Sequence, residues 1–321
     1  MIVVKRIAKS LIPNALKRPA FTALDEIVAL REFVIDTWRY QRSSGARDSN
    51  ALKNISGLNR EAQVIKDYHR VEKGLALPSP KRPFGEAVKE RLEFLVTGDG
   101  VGGDEHNLYA VEALDALRKW NSHGVVDPKI SPLNDSSYVP PTRETLRTFF
   151  ESRRSVRDFD IEKVPTDAIL ERAVVLAGNS PSVCNRQAWQ IHFFRDPESV
   201  RGVLAHQNGN SGFRDTVPVV GLVSVKRSLF LGPAERNQRW IDGGLFAMSL
   251  VWALHGEGLS TCMLNWSMNN AESDKLRRFA DIPSDEDIVV LIAIGHSSDG
   301  HRVARSPRRA ADDLINWHDS K

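Results

Sequence analysis

The stretch "ERNQRWIDGGLFAMSLVWALHGEGL", residues 235–259, does most to limit what this chain can fold into. Apolar residues recur at helical spacing on two faces: Ile241, Leu245, Met248 and Trp252 on one, Trp240, Gly244, Ala247 and Val251 on the other. A helix that is apolar all round must be covered, either in a core or in a subunit interface. Gly243 and Gly244 weaken it as a helix, which points to close backbone approach by a neighbour.

The elements around it say what covers it. "QIHFFR", "VPVVGLVSV", "TCML" and "DIVVLIAIG" are rich in β-branched or aromatic residues and read as strands. "RETLRTFFESRRS" reads as a helix, and so does "PTDAILERAVVLAG", with Pro165 at its start and Gly178 at its end. Helices and strands in this order imply an α+β fold, a central mixed or antiparallel sheet between helical layers.

Upstream the pattern is helical. "ALDEIVALREFVIDTWRY" places Ile27, Leu30, Val34 and Trp38 on one face, and "SNALKNISGLNREAQVIKDYHRVEKGL", "GEAVKERLEFLV" and "NLYAVEALDALRKW" follow. The segment "NSHGVVDPKISPLNDSSYVPPT" is rich in Pro, Ser, Asp and Asn and lacks periodicity, so the domain boundary falls near Pro140. Residues 1–140 are then a mainly helical extension and 141–321 the sheet domain.

Three polar clusters are not explained by folding alone. "SRRSVRDF" carries Arg153, Arg154, Ser155 and Arg157 at a helix end. Guanidinium forks suit phosphate or carboxylate oxygens, but cations also suit a solvated helix C-terminus. "SPSVCNRQAWQIHFF" brings Ser182, Asn185, Arg186 and Gln187 just before a strand. Amide side chains can read a heterocycle edge, or the turn satisfies its own backbone; Trp189 reads as core. "HRVARSPRRA" adds Arg302, Arg305, Arg308 and Arg309, a solvated tail or a second cationic group. A ligand with a phosphate at one end and a polar ring at the other would use all three.

The exclusions narrow the field. There is no G-x-G-x-x-G after a strand, no P-loop, no G-x-S-x-G and no H-E-x-x-H. The nine histidines are scattered and the two cysteines, Cys184 and Cys262, define neither a disulfide framework nor a metal-ligand spacing, so no metal is expected. A net charge of +3 is too small to indicate nucleic acid. No apolar run is long enough for a membrane span. The basic start "MIVVKRIAKSLIPNALKRP" fits a solvated helix stopped near Pro13, or weak peripheral contact with an anionic membrane. A cytoplasmic location is expected.

Five segments in order, "RRSVRDF", "SPSVCNRQAWQIHFF", "VVGLVSV", "DGGLFAMSLVWALHGEGLSTCML" and "IVVLIAIGHSSDGHRVARSPRR", resemble the FMN-dependent nitroreductase family over roughly residues 145–320. The resemblance implies a homodimer with FMN at the dimer interface. It implies that Arg153, Arg154, Ser155 and Arg157 meet the flavin phosphate and pyrimidine edge from one subunit. Pro181, Ser182, Val183 and Asn185 would approach the ring from the other, Leu264 and Asn265 would present backbone groups to it, and Arg305 and Arg308 would supply the late phosphate contact. The implied activity is hydride transfer from NAD(P)H through FMN to a small acceptor in a ping-pong cycle, with no catalytic acid or base named. Alternatives are a flavin-dependent dehydrogenase or flavin-consuming enzyme of the same fold, or a non-catalytic FMN-binding partner of a surface-polysaccharide assembly system.

The chain departs from the family in its first 140 residues, in Ala188 where proline is common, and in Cys184 within the loop. "YHRVEKGLALP", with Tyr68, His69, Arg70, Glu72 and Lys73, resembles segments ahead of nitroreductase domains linked to bacterial surface-polysaccharide genes. It is expected to lie over the exposed face of the flavin as a lid; otherwise the helical region is a separate module on a linker.

Overall fold

The longest apolar runs of the chain become the two central strands of its sheet. The computed structural model describes residues 14–44, 57–97, 105–134 and 137–318; the basic segment before Asn14 lies outside them. Four strands, β1 (Trp189–Phe194), β2 (Val219–Lys226), β3 (Ser260–Asn265) and β4 (Glu286–Gly295), pair in the order β1-β2-β4-β3. Every pairing is antiparallel, so the sheet is antiparallel rather than mixed. The connections are long and helical. The helix Pro197–Ala205 joins β1 to β2, and the helix Asn270–Ala280 joins β3 to β4. The segment carrying the helix Gln238–Gly256 crosses over β4 from β2 to β3, which run parallel to each other. A bulge at Val289 shifts the β2–β4 register.

Both faces of the sheet are covered, which is why β2 and β4 read as nearly continuous apolar runs. On one face Val219, Val223 and Val225 pack with α6 (Asp167–Ala177) and α8 (Gln238–Gly256), through Leu170, Phe246 and Leu250. Trp189 stacks on Phe246 there, as its core reading requires. On the other face Val220, Leu222 and Leu291 pack with α7 (Pro197–Ala205) and α9 (Asn270–Ala280), through Val203, Leu204 and Leu276. The alternation along β2 is the period of two that a strand imposes. α7 and α9 were absent from the sequence reading, although each has a capping signal. Asp196 accepts from Ser199 N–H ahead of Pro197, and Asn269 accepts from Glu272 N–H.

α8 confirms half of what its two apolar faces suggest. Gly243 lies against the sheet: a Cβ there would sit 2.7 Å from Val289 Cγ2. Gly244 faces no neighbour within 4 Å. Phe246, Ala247, Leu250, Val251 and Leu254 are buried, whereas Trp240, Ile241, Leu245 and Met248 remain exposed.

The helical extension has its own core. α2 (Gly57–Leu75), α3 (Glu86–Thr97) and α4 (Glu105–His123) enclose Ile65, Tyr68, Val71, Leu92 and Leu117. Asp67, fully buried, takes a bidentate bond from Arg91 at 2.9 Å for both contacts. α1 (Asn14–Ser43) lies differently from expectation. Ile27, Leu30, Val34 and Trp38 are exposed, and the polar face docks instead. Arg39 pairs with Asp274 at 2.6 Å, Asn270 N–H and its amide donate to Glu32, and the Tyr40 hydroxyl donates to Gly232 O. The periodicity marks a helix but not which face meets the sheet domain. Among the described residues, no helix is long and apolar enough to cross a membrane.

Candidate functional site

At the end of α5 (Arg143–Ser152) the chain becomes extended at Arg153 and runs along the free edge of β3. Val156 N–H donates to Thr261 O at 3.0 Å, and Ser155 bridges Thr261 in parallel fashion. Val156 and Phe159 are buried in the core and fix this segment, so the residues between them face outward. The tail after β4 returns to the same place. Asp160 N–H donates to His296 O, Ser298 N–H to Asp158 O, and Phe159 bridges Ser297.

These two segments enclose a cavity of about 180 Å³ lined by Arg153, Arg154, Ser155, Ala304, Ser306 and Arg308. A neighbouring cavity of about 430 Å³ shares Arg153, Arg154, Ser306 and Arg308 and is walled by Phe150, Glu151, Met248 and Trp252; the Glu151 carboxylate pairs with Arg147, at 3.6 Å. Among the described residues, no carboxylate pairs with Arg153, Arg154, Arg157, Arg305 or Arg308. Burial, with the Arg308 and Arg154 guanidiniums beside it, holds Arg153 below the ordinary arginine value. Like charges gathered without a counterion, half out of water, are arranged for an anion to supply it. Arg157 lies outside this lining but close to Cys262, whose thiol is pushed up by burial despite Arg157 and Arg153. Arg305 is exposed and absent from the lining.

The loop before β1 is built otherwise. Cys184, Asn185 and Gln187 all have positive φ, at 50°, 54° and 46°, a run of backbone strain that needs support from its surroundings. Arg186 supplies it. It is only 2% exposed. Its Nη1 donates to Leu229 O at 2.6 Å, Nη2 to Glu235 Oε1 at 2.8 Å and Nε to Val183 O at 3.2 Å. Ser182 Oγ accepts from Gln187 N–H, and Asp242, from α8, accepts from Val183 N–H at 3.1 Å. Burial raises the Asp242 carboxyl above its usual value, against the hydrogen bonds from Gln238 and Val183. Arg186, Glu235 and Asp242 as supports were not legible: their partners are 43 to 59 residues away.

Leu264 is buried and Asn265 exposed at the far end of edge strand β3. Asn265 O accepts from Gln207 Nε2 at 3.1 Å, and its amide donates to Ser267 Oγ.

The structure brings Arg153, Arg154, Ser155 and Arg308 together but keeps them from Pro181, Ser182, Val183 and Asn185. The arginines lie beside β3 at the Thr261–Ile294–Val219 level; the loop leads into β1 at the Trp189–Val225 level. Four strand spacings of about 4.8 Å and six residues of about 3.3 Å separate them, roughly 28 Å diagonally.

The extension reaches the loop as well. α2 packs against the 183–185 and 227–229 turns. Asn59 donates to Ser228 O at 2.8 Å, and Ala62 joins the core under the sheet. The helical region is therefore not a module held only by its linker. Its contact is anchored by Asn59 and Ala62, ahead of "YHRVEKGL", whose Tyr68, Val71 and Leu75 face the helical core. His69 pairs with Glu72 at 3.0 Å and Arg70 with Asp67 at 3.3 Å.

Comparison with known proteins meets this geometry. Residues 150–211 and 204–296 match the model of the Nitroreductase family. The match falls on the C-terminal sheet domain, whose α+β fold fits that family, and the helices before it are an N-terminal extension. An FMN-dependent nitroreductase of Clostridium difficile R20291 aligns with 54% of this chain and 99% of its own, at 19% identity and TM-score 0.46. B. megaterium NfrA2 aligns over 56% of this chain and 76% of its own, at 19% identity and TM-score 0.48. A nitroreductase family protein of Streptococcus pneumoniae TIGR4 aligns over 54% and 100%, at 16% identity and TM-score 0.46.

Proposed function

We propose that this chain is an FMN-dependent oxidoreductase, a homodimer that oxidises NAD(P)H and reduces a small acceptor, the oxidised donor leaving before the acceptor enters. The observation that carries this reading is the cavity beside β3, where Arg153, Arg154 and Arg308 meet without a carboxylate among the described residues. Its donor set fits a phosphate monoester: guanidinium forks and a serine hydroxyl, converging where the family region begins.

When bound, FMN supplies the two-electron chemistry; the chain supplies binding, orientation and shelter from water. Arg153, Arg154, Ser155 and Arg308 hold the phosphate. Arg157 and the backbone at Leu264 and Asn265 lie along the same strand edge and position the ring. The 181–185 loop belongs to the site too, yet it lies roughly 28 Å from the arginines of its own chain. A second copy brings it there. The exposed Ile241, Leu245 and Met248 of α8 are the apolar surface that such a copy would cover. The loop is polar because its side chains hold a strained backbone in one shape, and that backbone is then presented to the flavin.

The test is steady-state oxidation of NADH and of NADPH by the purified protein with a quinone acceptor and FMN present. Parallel double-reciprocal lines are expected, as for a donor that departs before the acceptor binds. Flavin bound without any NAD(P)H turnover would remove the enzyme reading and leave a flavin-binding protein.

A further inference from the structure

A third cavity, of about 550 Å³, lies between α1 and the 232–240 segment, beside residues that brace the 181–187 loop and away from the arginine cluster. Its size is that of small-molecule pockets, about 300–1,000 Å³. The helical extension contributes Phe33, Asp36 and Tyr40; the sheet domain contributes Arg236, Arg239 and Trp240.

Three features give it a positive character. Arg239 is buried, with its guanidinium carbon 5.0 Å from the Tyr40 ring centre and 4.8 Å from that of Trp240. Its Nε lies 2.8 Å from Asp287 Oδ2, but neither atom is aligned for a hydrogen bond. Asp287 is shared with Arg227 at 2.6 Å and Arg277 at 3.5 Å, and Arg277 shares Asp274 with Arg39. Four guanidiniums thus rest on two carboxylates, and the buried Arg227 Nε has no partner. Second, Arg236 is exposed and its side chain donates only to Pro233 O, at 3.3 Å. Third, α8 begins at the cavity, and its N-cap Asn237 makes no side-chain capping bond. Among the described residues, only the Trp240 N–H of its first turn is engaged, by Asn237 O at 3.1 Å, so the helix's positive end faces the lining. The opposing carboxylate, Asp36, accepts from the Asn270 amide at 2.8 Å. Phe33, Tyr40 and Trp240 add flat apolar walls, suited to a ring rather than to a bare ion.

We propose that this cavity is a binding site for a planar anion, a ring system bearing a carboxylate or phosphate. Arg236 and the α8 N-terminus take the charge, and Phe33 and Trp240 flank the ring. This does not depend on the flavin reading. The cavity is connected to the 181–187 loop through chain continuity: Glu235, which pins Arg186, and Asp242, which holds Val183, flank the lining residues. Neither the cavity nor its aromatic wall exists without α1, so the extension creates a site that the sheet domain alone lacks.

The experiment is calorimetric titration of the full chain, saturated with FMN, with 2-naphthoate, adenosine monophosphate and the uncharged 2-naphthamide. One site per chain is expected for at least one anion, with the amide at least tenfold weaker. Naphthoate alone would indicate an aromatic acid, and the nucleotide alone a nucleoside phosphate; either supports the site. Arg236→Gln and Phe33→Ser, both at exposed positions, should each weaken binding at least tenfold, with thermal unfolding unchanged. Absence of saturable binding by either anion, equal binding of acid and amide, or wild-type affinity in both variants would overturn the proposal. So would competition with FMN, which would place the ligand in the flavin site instead.

Discussion

The arginine cluster beside β3 and the loop before β1 look alike in sequence, since each is a short polar run at the edge of a strand or helix. In the folded chain they are opposites. The loop's polar groups are taken by the protein: Arg186 by Leu229, Glu235 and Val183, Ser182 by Gln187, Val183 by Asp242. The arginines are left open; Arg154 and Arg308 reach only neighbouring carbonyls, and Arg153 lies over Trp252. A cluster with unused capacity meets a ligand through its side chains. A cluster whose side chains are engaged presents a shaped backbone. This comparison gives different predictions for mutations of similar chemistry.

The largest effect is expected in the loop. Arg186→Met leaves Glu235 Oε1 and the Leu229 carbonyl without their donor, and breaking a buried ion pair costs about 3–5 kcal/mol. Glu235 keeps some contact with water, which favours the lower end. Urea unfolding should show a reduced midpoint at constant slope. Stability within error of wild type would mean that Arg186 does not support the loop.

The arginine cluster should behave in the converse way. Arg153→Ala should leave urea stability nearly unchanged and weaken FMN binding by about 1.5–3 kcal/mol, the range for a hydrogen bond to a charged group. Riboflavin, lacking the phosphate, should lose less. Arg305→Ala, at a position outside the cavity lining, serves as the control and should change FMN affinity little. Equal losses for FMN and riboflavin in Arg153→Ala would detach that arginine from the phosphate.

What was legible in the sequence follows from the range of each interaction. The strands and α5, α6 and α8 announced themselves because periodicity and capping are local. The cationic cluster was also legible in part, since Arg153 and Arg154 are consecutive. Arg308 joins it only because the tail folds back through Asp158, Asp160 and Ser298. Arg186 read as one more polar loop residue, and its burial is decided by groups far along the chain. α1 misled in the other direction: its apolar stripe is present, but the Arg39–Asp274 ion pair and the hydrogen bonds from Asn270 to Glu32 choose which face docks.

A subtler effect separates the two regions by pH. Burial raises the Asp242 carboxyl, so the folded chain favours its neutral form. That contribution to stability is complete below the ordinary carboxylate value of about 3.9 and is lost as pH rises through the higher folded value. Asp242→Asn removes the titration. Wild type should therefore lose stability relative to the variant as pH rises through that window, measured by urea midpoints at several pH values. A difference that does not change with pH would mean that Asp242 titrates normally.

The central claim is that one FMN per chain is held by the arginines of one copy and the loop of another. Size-exclusion chromatography with full visible spectra, after incubation with FMN, tests it most directly. Flavin absorption should elute with the protein at twice the mass of the chain, at one FMN per chain. Flavin eluting with a single chain, or a protein that stays colourless in excess FMN, would contradict it.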